Sequence, residues 1–184
     1  MSEKLTSQQL AIETATEADV SGIGRAHFQS MLETYPNPGA GVDEAWIHQN
    51  LAYTMSPQGD GFRRQTVHQA ETDPGHTLYL VVRNIQGQVV GFFHSTRSEH
   101  RAKIEAIYLT REARGTGTAD ELMRRGLEFA GDRPISLEVL DYNQRAIRLY
   151  ERYGFAIVPD SLRLEKEKLP LITMQRLATR EAES

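Results

Sequence analysis

A mixed α/β domain, with a mostly antiparallel central sheet and one parallel strand pair, is the fold class this sequence predicts. Three observations carry it. Residues 77–82, 89–96 and 103–109 are apolar, strand-like stretches joined by short polar connections, which makes them an antiparallel meander. After residue 103 the chain runs strand, helix, strand over about forty residues, a βαβ crossover whose strands are parallel and whose connection is right-handed. Between the first of these strands and the helix lies Arg114-Gly115-Thr116-Gly117-Thr118-Ala119, a short glycine-bearing turn. Such a turn aims several backbone N–H groups one way at the positive end of a helix, a seat for phosphate or pyrophosphate. Arg114 adds a positive charge.

The other elements follow in order. Residues 10–15 read as a short strand, with Leu10 and Ile12 on one face and Glu13 on the other. Thr16 and Asp19 have capping-box spacing, and a helix follows to about Glu33 with Val20, Ile23, His27 and Met31 near one face. Gly22 and Gly24 weaken that helix. Residues 35–41 form a turn-rich break. No strand precedes it and no Lys follows it, so it reads as a helix connection rather than a phosphate loop. Asp43 can cap a second helix, to about Thr54, carrying Trp46, Ile47 and Leu51. Residues 56–61 are another break, and 62–72 a third helix ended by Pro74-Gly75.

The meander comes next, its first hairpin turning around Gly87. In the helix from Gly117 to about Ala130, the residues Ala119, Leu122, Met123, Gly126, Leu127 and Ala130 share one face. Residues 135–140 are a strand. Asn143 or Asp141 can cap the following helix, whose apolar face is Ala146, Ile147, Leu149, Tyr150 and Tyr153, with Gly154 as its left-handed C′ residue. Residues 155–158 are a strand, 160–169 a charged irregular stretch, 171–177 a last strand paired with the previous one, and 178–184 a frayed tail. The sheet has six to seven strands.

The totals fit one domain over residues 1–184, with its core at about 10–177. A net charge of −4 argues against a general nucleic-acid binder. There is no cysteine, so disulfides, thiolate metal sites and a Cys nucleophile are excluded together. The first nine residues are polar, and the longest apolar runs, 78–82 and 89–93, are too short to span a membrane. The expectation is a soluble cytoplasmic chain, monomer or homodimer.

Three phosphate-binding motifs compete for the central turn. A Walker loop needs Gly-Lys-Ser/Thr, which is absent, and a dinucleotide fingerprint needs three glycines after the first strand of a parallel sheet. The third, Arg114-x-x-Gly117-x-Ala119, resembles the Arg/Gln-x-x-Gly-x-Gly/Ala signature of the GNAT superfamily of acetyl-CoA-dependent N-acetyltransferases. Leu137-Glu138-Val139, Asn143, Ala146, Leu149-Tyr150 and Gly154-Phe155 look like that family's second block, at matching spacing. This second block is most similar to the branch that acetylates protein N-termini, a spacing that many small-amine acetyltransferases share.

The resemblance implies a site. The two parallel strands would splay, and the pantetheine arm of acetyl-CoA would lie between them as a pseudo-strand. The backbone of Ile107, Tyr108 and Leu109 would hold the arm and the acetyl carbonyl. Arg114, Gly115, Thr116, Gly117, Thr118 and Ala119 would hold the pyrophosphate, and Asn143 the arm's amides. Tyr150 stands where the family's general acid usually stands, and a phenol is protonated at neutral pH. Glu138 and Glu105 are rival candidates for the base, each also readable as a solvated or ion-paired strand carboxylate. The six histidines, at 27, 48, 68, 76, 94 and 100, lack ligand spacing, so no metal is expected. Phe93 and His94 alternate on a strand, and one of them could face the acceptor groove.

The implied reaction moves an acetyl group to a primary amine: a protein or peptide N-terminus, a Lys or a small-molecule amine. A non-catalytic acyl-CoA-binding domain is the alternative, and a nucleotide-binding regulatory domain a weaker one. Neither nucleic acid nor membrane is an expected partner. The acceptor itself has no readable signature.

Overall fold

Eight strands form one sheet in the computed structural model, which describes residues 10–178. The strands β1 (Ala11–Thr14), β2 (Thr77–Arg83), β3 (Val89–Arg97) and β4 (Ala102–Leu109) are successive antiparallel neighbours. The strand β5 (Ile135–Leu140) lies parallel to β4. Three further strands are β6 (Ala156–Ile157), β7 (Arg163–Glu165) and β8 (Leu169–Arg176). β8 pairs antiparallel with β5, β6 and β7.

Two details of the sheet differ from the sequence reading. The charged stretch 160–169 contains a strand, β7, folded onto β8 through a tight turn in which Lys166 and Glu167 take φ of 50° and 63°. Left-handed turns usually advertise themselves through Gly or Asn, and this one carries neither. The last strand also enters the middle of the sheet, so it pairs with β5 as well as with its predecessor. Most of the 178–184 tail lies outside the described residues.

Five α-helices cover the sheet: α1 (Val20–Thr34), α2 (Glu44–Leu51), α3 (Pro57–Thr72), α4 (Thr118–Ala130) and α5 (Gln144–Arg152). The capping box at Thr16 and Asp19 is present ahead of α1. Asp43 accepts the Trp46 N–H at 2.8 Å to start α2. The third helix begins five residues before its expected start of Phe62, at Pro57. Ser56 caps it by accepting the Gly59 N–H at 3.1 Å, and Pro57 occupies the first helical position, where its missing N–H costs nothing. Gly59 is there because a Cβ would come within 2.4 Å of the Tyr53 carbonyl oxygen.

α4 and α5 pack on one face, over Phe93, Ile104, Leu122, Met123, Ile135, Leu137 and Met174, all at most 3% exposed. α1 and α3 pack on the other, over Ile23, Val67, Val81 and Phe92. A third cluster, with Phe28, Ile47, Leu51, Leu140 and Leu169, joins α1 and α2 to the far end of β5 and β8. Each such fully buried side chain contributes about 1.5–3 kcal/mol.

The feature that positions the site is a split. β4 and β5 pair only through Ala102↔Ile135, Lys103↔Ser136 and Ile104↔Leu137, and then part. On its other edge β4 carries a bulge: His94 faces Ala106 and Ser95 faces Ile104, leaving Glu105 as the extra residue. A bulge bends and twists its strand. Here the strand leaves its parallel neighbour where the bulge occurs.

Candidate active site

Where β4 and β5 part, a cleft of about 810 Å³ opens. Its walls are the diverging strand ends, the end of α1, the turn before α4, and α5. The Thr110 N–H donates to the Val90 carbonyl at 2.9 Å. Strand alternation then turns the peptide groups of Tyr108 toward β3 and those of Ile107 and Leu109 toward the gap. Peptide groups facing such a gap need a partner.

The turn 114–119 sits at the mouth of this gap. Gly115 and Gly117 have φ of 73° and 85°, the left-handed region, and a Cβ on either would meet no protein atom within 4 Å. Backbone conformation, rather than packing, therefore calls for glycine. The amides of Gly115, Thr116, Gly117 and Ala119 make no backbone hydrogen bond among the described residues. Thr116 Oγ1 bonds the Ala113 carbonyl at 2.9 Å and meets Thr118 Oγ1 at 2.7 Å, which tightens the turn. Free N–H groups at the positive end of α4 form an anion seat.

Arg114 is not a free charge. Its Nε donates to the Leu109 carbonyl at 2.8 Å, and its Nη2 pairs with Glu33 Oε2 at 2.9 Å. Burial draws the guanidinium below its ordinary pKa, and Glu33 opposes that shift. Arg145, exposed on the first turn of α5 and lining the cleft, makes no ion pair among the described residues. It is a cation beside the turn that the sequence reading did not single out.

Asn143, not Asp141, caps α5: its Oδ1 accepts the Ala146 N–H at 3.2 Å. One lone pair of that oxygen is thus engaged, and its side-chain NH₂ is left for a ligand. The helix ends in a Schellman motif. The Gly154 N–H reaches the Glu151 carbonyl at 3.0 Å and the Phe155 N–H reaches the Tyr150 carbonyl at 3.1 Å. The rings of Tyr150 and Phe155 pack with centroids 6.1 Å apart. Tyr150 is 5% exposed, lines the cleft, and its hydroxyl makes no hydrogen bond among the described residues. Burial pushes that hydroxyl well above the usual phenol value, and nearby Tyr108 adds to the shift.

Both candidate bases line the cleft, on the side of α1 and α2, and both are partnered. Glu138 Oε1 accepts from Arg163 Nε at 2.8 Å, and this bond holds its carboxyl below the ordinary value. Glu105 accepts from Thr96 Oγ1 at 2.9 Å and pairs with Lys103 at 3.0 Å. Of Phe93 and His94, Phe93 is wholly buried against α4, and His94 lies on the other face, stacked on Tyr79 at 5.0 Å.

An aromatic wall on the α1 side was hidden in the turn-rich segment. The Tyr35 and Tyr108 hydroxyls meet at 2.8 Å, Tyr142 donates to the Tyr35 carbonyl at 2.7 Å, and the His27 ring lies 4.2 Å from that of Tyr108. Among the described residues, no group of three or more His, Asp or Glu side chains converges as a metal site, and no helix is long and apolar enough to cross a membrane.

Comparison with known proteins places this geometry in context. Residues 40–155 match the family model for the acetyltransferase (GNAT) family. The chain is 30% identical over 139 residues to the mycothiol acetyltransferase of Acidimicrobium ferrooxidans, an alignment that covers 66% of this chain and 43% of that protein. The chain thus spans less than half the length of that curated relative. In fold it is similar to the PaiA N-acetyltransferase of Thermoplasma acidophilum, solved with coenzyme A, at a TM-score of 0.73 and 13% identity over 91% of this chain and 98% of that one. A Salmonella typhimurium protein solved with its cofactor acetyl-CoA gives 0.67 and 19%, over 92% and 94%.

Proposed function

The chain belongs to the GNAT acetyltransferase family, acyltransferases that use acetyl-CoA, and from that premise we propose that it acetylates a primary amine by direct attack on the thioester. The observation that carries this reading is Tyr150, a buried side chain on the wall of the gap whose hydroxyl is unbonded among the described residues. The amides of the turn 114–119 would hold the pyrophosphate, with Arg145 beside them. The peptide groups of Ile107 and Leu109 and the NH₂ of Asn143 would hold the arm.

The amine would arrive from the side of α1 and α2. Its nitrogen bonds the acetyl carbon and the C–S bond breaks. The departing thiolate takes the Tyr150 proton, the new ammonium gives its proton to solvent, and the phenol is reprotonated from water. A hydroxyl with a raised pKa is fully protonated at neutral pH and can donate. Glu138 and Glu105 are each committed to a cation, so the acceptor is used as its free base rather than deprotonated by a strong base.

The test is to mix the protein with acetyl-CoA, first without an acceptor and then with a panel of amines and peptides. Direct attack leaves the protein mass unchanged without acceptor and releases thiol only when an amine is added. A protein that gains an acetyl group, and passes it on, overturns direct attack. Thiol release with none of the amines overturns the amine assignment.

A further inference from the structure

We propose that Glu165 selects acceptors that carry a second cationic group. The proposal rests on the amine-acetylation reading above and names the class of amine. Glu165 ends β7, directly opposite Leu169, and lines the cleft together with Tyr35, Tyr108 and Leu171. Of the three carboxylates on this side it has the weakest partner. Its Oε2 lies 3.4 and 3.5 Å from the Arg163 guanidinium nitrogens, whose short bond, 2.8 Å, goes to Glu138. Lys103 is engaged by Glu105 at 3.0 Å.

The surroundings suit a cation. Tyr35, Tyr53 and Tyr108 feel the Glu165 charge: burial raises their hydroxyls and the carboxylate adds to the shift. A carboxylate beside tyrosine hydroxyls offers an ammonium a charge and neighbouring oxygen acceptors. Ser30 is a second and independent sign of a ligand. It lines the same cleft, is 2% exposed, and its hydroxyl has no hydrogen-bond partner among the described residues.

Glu165 is also held in place. The turn that follows it is strapped to the α1–α2 connection by Lys168, which donates to the Gly41 carbonyl at 3.0 Å and lies 5.7 Å over the Trp46 ring. Lys166 lies 5.7 Å over Tyr53. The strap puts the carboxylate beyond the C-terminal end of β5: it is opposite Leu169, two residues before Leu171, the partner of Leu140. It lies five register positions past Leu137, the last residue of β5 paired with β4, whereas the reacting amine must be neutral. A carboxylate beside the reacting nitrogen would hold it as unreactive ammonium. From its position at the end of β7 it binds the other end of the acceptor.

The experiment compares α,ω-diamines of three to eight carbons with monoamines of matched length, for the full chain and for Glu165→Gln and Glu165→Asp. In the unaltered protein the best diamine is expected to exceed its matched monoamine about five- to ten-fold in kcat/KM, the range for a half-exposed ion pair. Glu165→Gln collapses that ratio toward one, mainly through the KM for the diamine, and Glu165→Asp restores part of it. A ratio near one in the unaltered protein, or a preference that survives Glu165→Gln, overturns the inference and leaves amine acetylation standing. If neither series is acetylated at all, the amine assignment fails together with it.

Discussion

Glu33, at the end of α1, and Arg114, at the start of the turn before α4, form an ion pair of 2.9 Å with both side chains less than a fifth exposed. Glu33 Oε2 also accepts the Arg111 N–H at 2.7 Å. One carboxylate therefore ties the helix on the acceptor side to the anion-binding turn. Glu33→Gln would leave the Arg114 charge partly buried without its counter-ion. The expected cost is about 2–3 kcal/mol. Urea unfolding would measure it, and acetyl-CoA binding should weaken with it because the turn loses its brace. An unchanged urea midpoint would show that the pair contributes nothing.

Tyr150→Phe removes one hydroxyl that bonds no described residue, so stability should change little. If that hydroxyl supplies the proton to the thiolate, kcat falls about 10²–10⁴-fold while the acetyl-CoA Kd stays within a factor of about three. The pH profile gives a second check. The acid must be protonated, and burial moves the Tyr150 pKa up, so kcat of the unaltered protein should not decline before the pH exceeds the ordinary phenol value. A decline that begins below pH 9 would point to a different acid.

The short Arg163 bond argues against Glu138 as a general base. A general base that loses a proton too easily is a poor base, and the Arg163 bond lowers the Glu138 carboxyl. Glu138→Gln should therefore reduce kcat/KM less than about ten-fold, with no change in the acidic limb of the pH profile. A loss of a hundred-fold or more, with that limb removed, would restore Glu138 to the role of base.

Local signals made much of this site legible in the sequence. Turn 114–119, the apolar face of α5 and Gly154 lie within short windows where local spacing decides the conformation, whereas the cap of α5 was narrowed only to Asn143 or Asp141. The βαβ crossover announced the parallel pair. Non-local facts were not legible. The Glu138–Arg163 pair joins residues far apart in sequence, and the register that brings them together depends on where β8 enters the sheet. The Glu33–Arg114 pair likewise depends on how α1 crosses β4. Residues 56–61 were misread because Pro and two glycines resemble a break. Pro57 is instead a first-turn residue and Gly59 a point of close approach. The strap carrying Glu165 was missed because its left-handed turn is built from Lys166 and Glu167.

His27 makes the fold sensitive to acid. Its ring packs on Tyr108 and Phe92, and burial, reinforced by the charge of Arg63, pushes its pKa down to about 4. Unfolded, the same imidazole titrates near ~6.5. Between these values the unfolded chain binds one more proton than the folded one, so stability rises with pH. The contribution of neutral His27 is complete above about 6.5 and is lost as pH falls toward 4, by up to about 3 kcal/mol. In His27→Gln that dependence disappears, because an amide does not titrate. Urea unfolding at pH 7 and pH 4.5 should show a fall in stability about 2 kcal/mol larger for the unaltered protein than for the variant. Equal falls would mean that His27 is already charged in the fold or solvated enough to titrate normally.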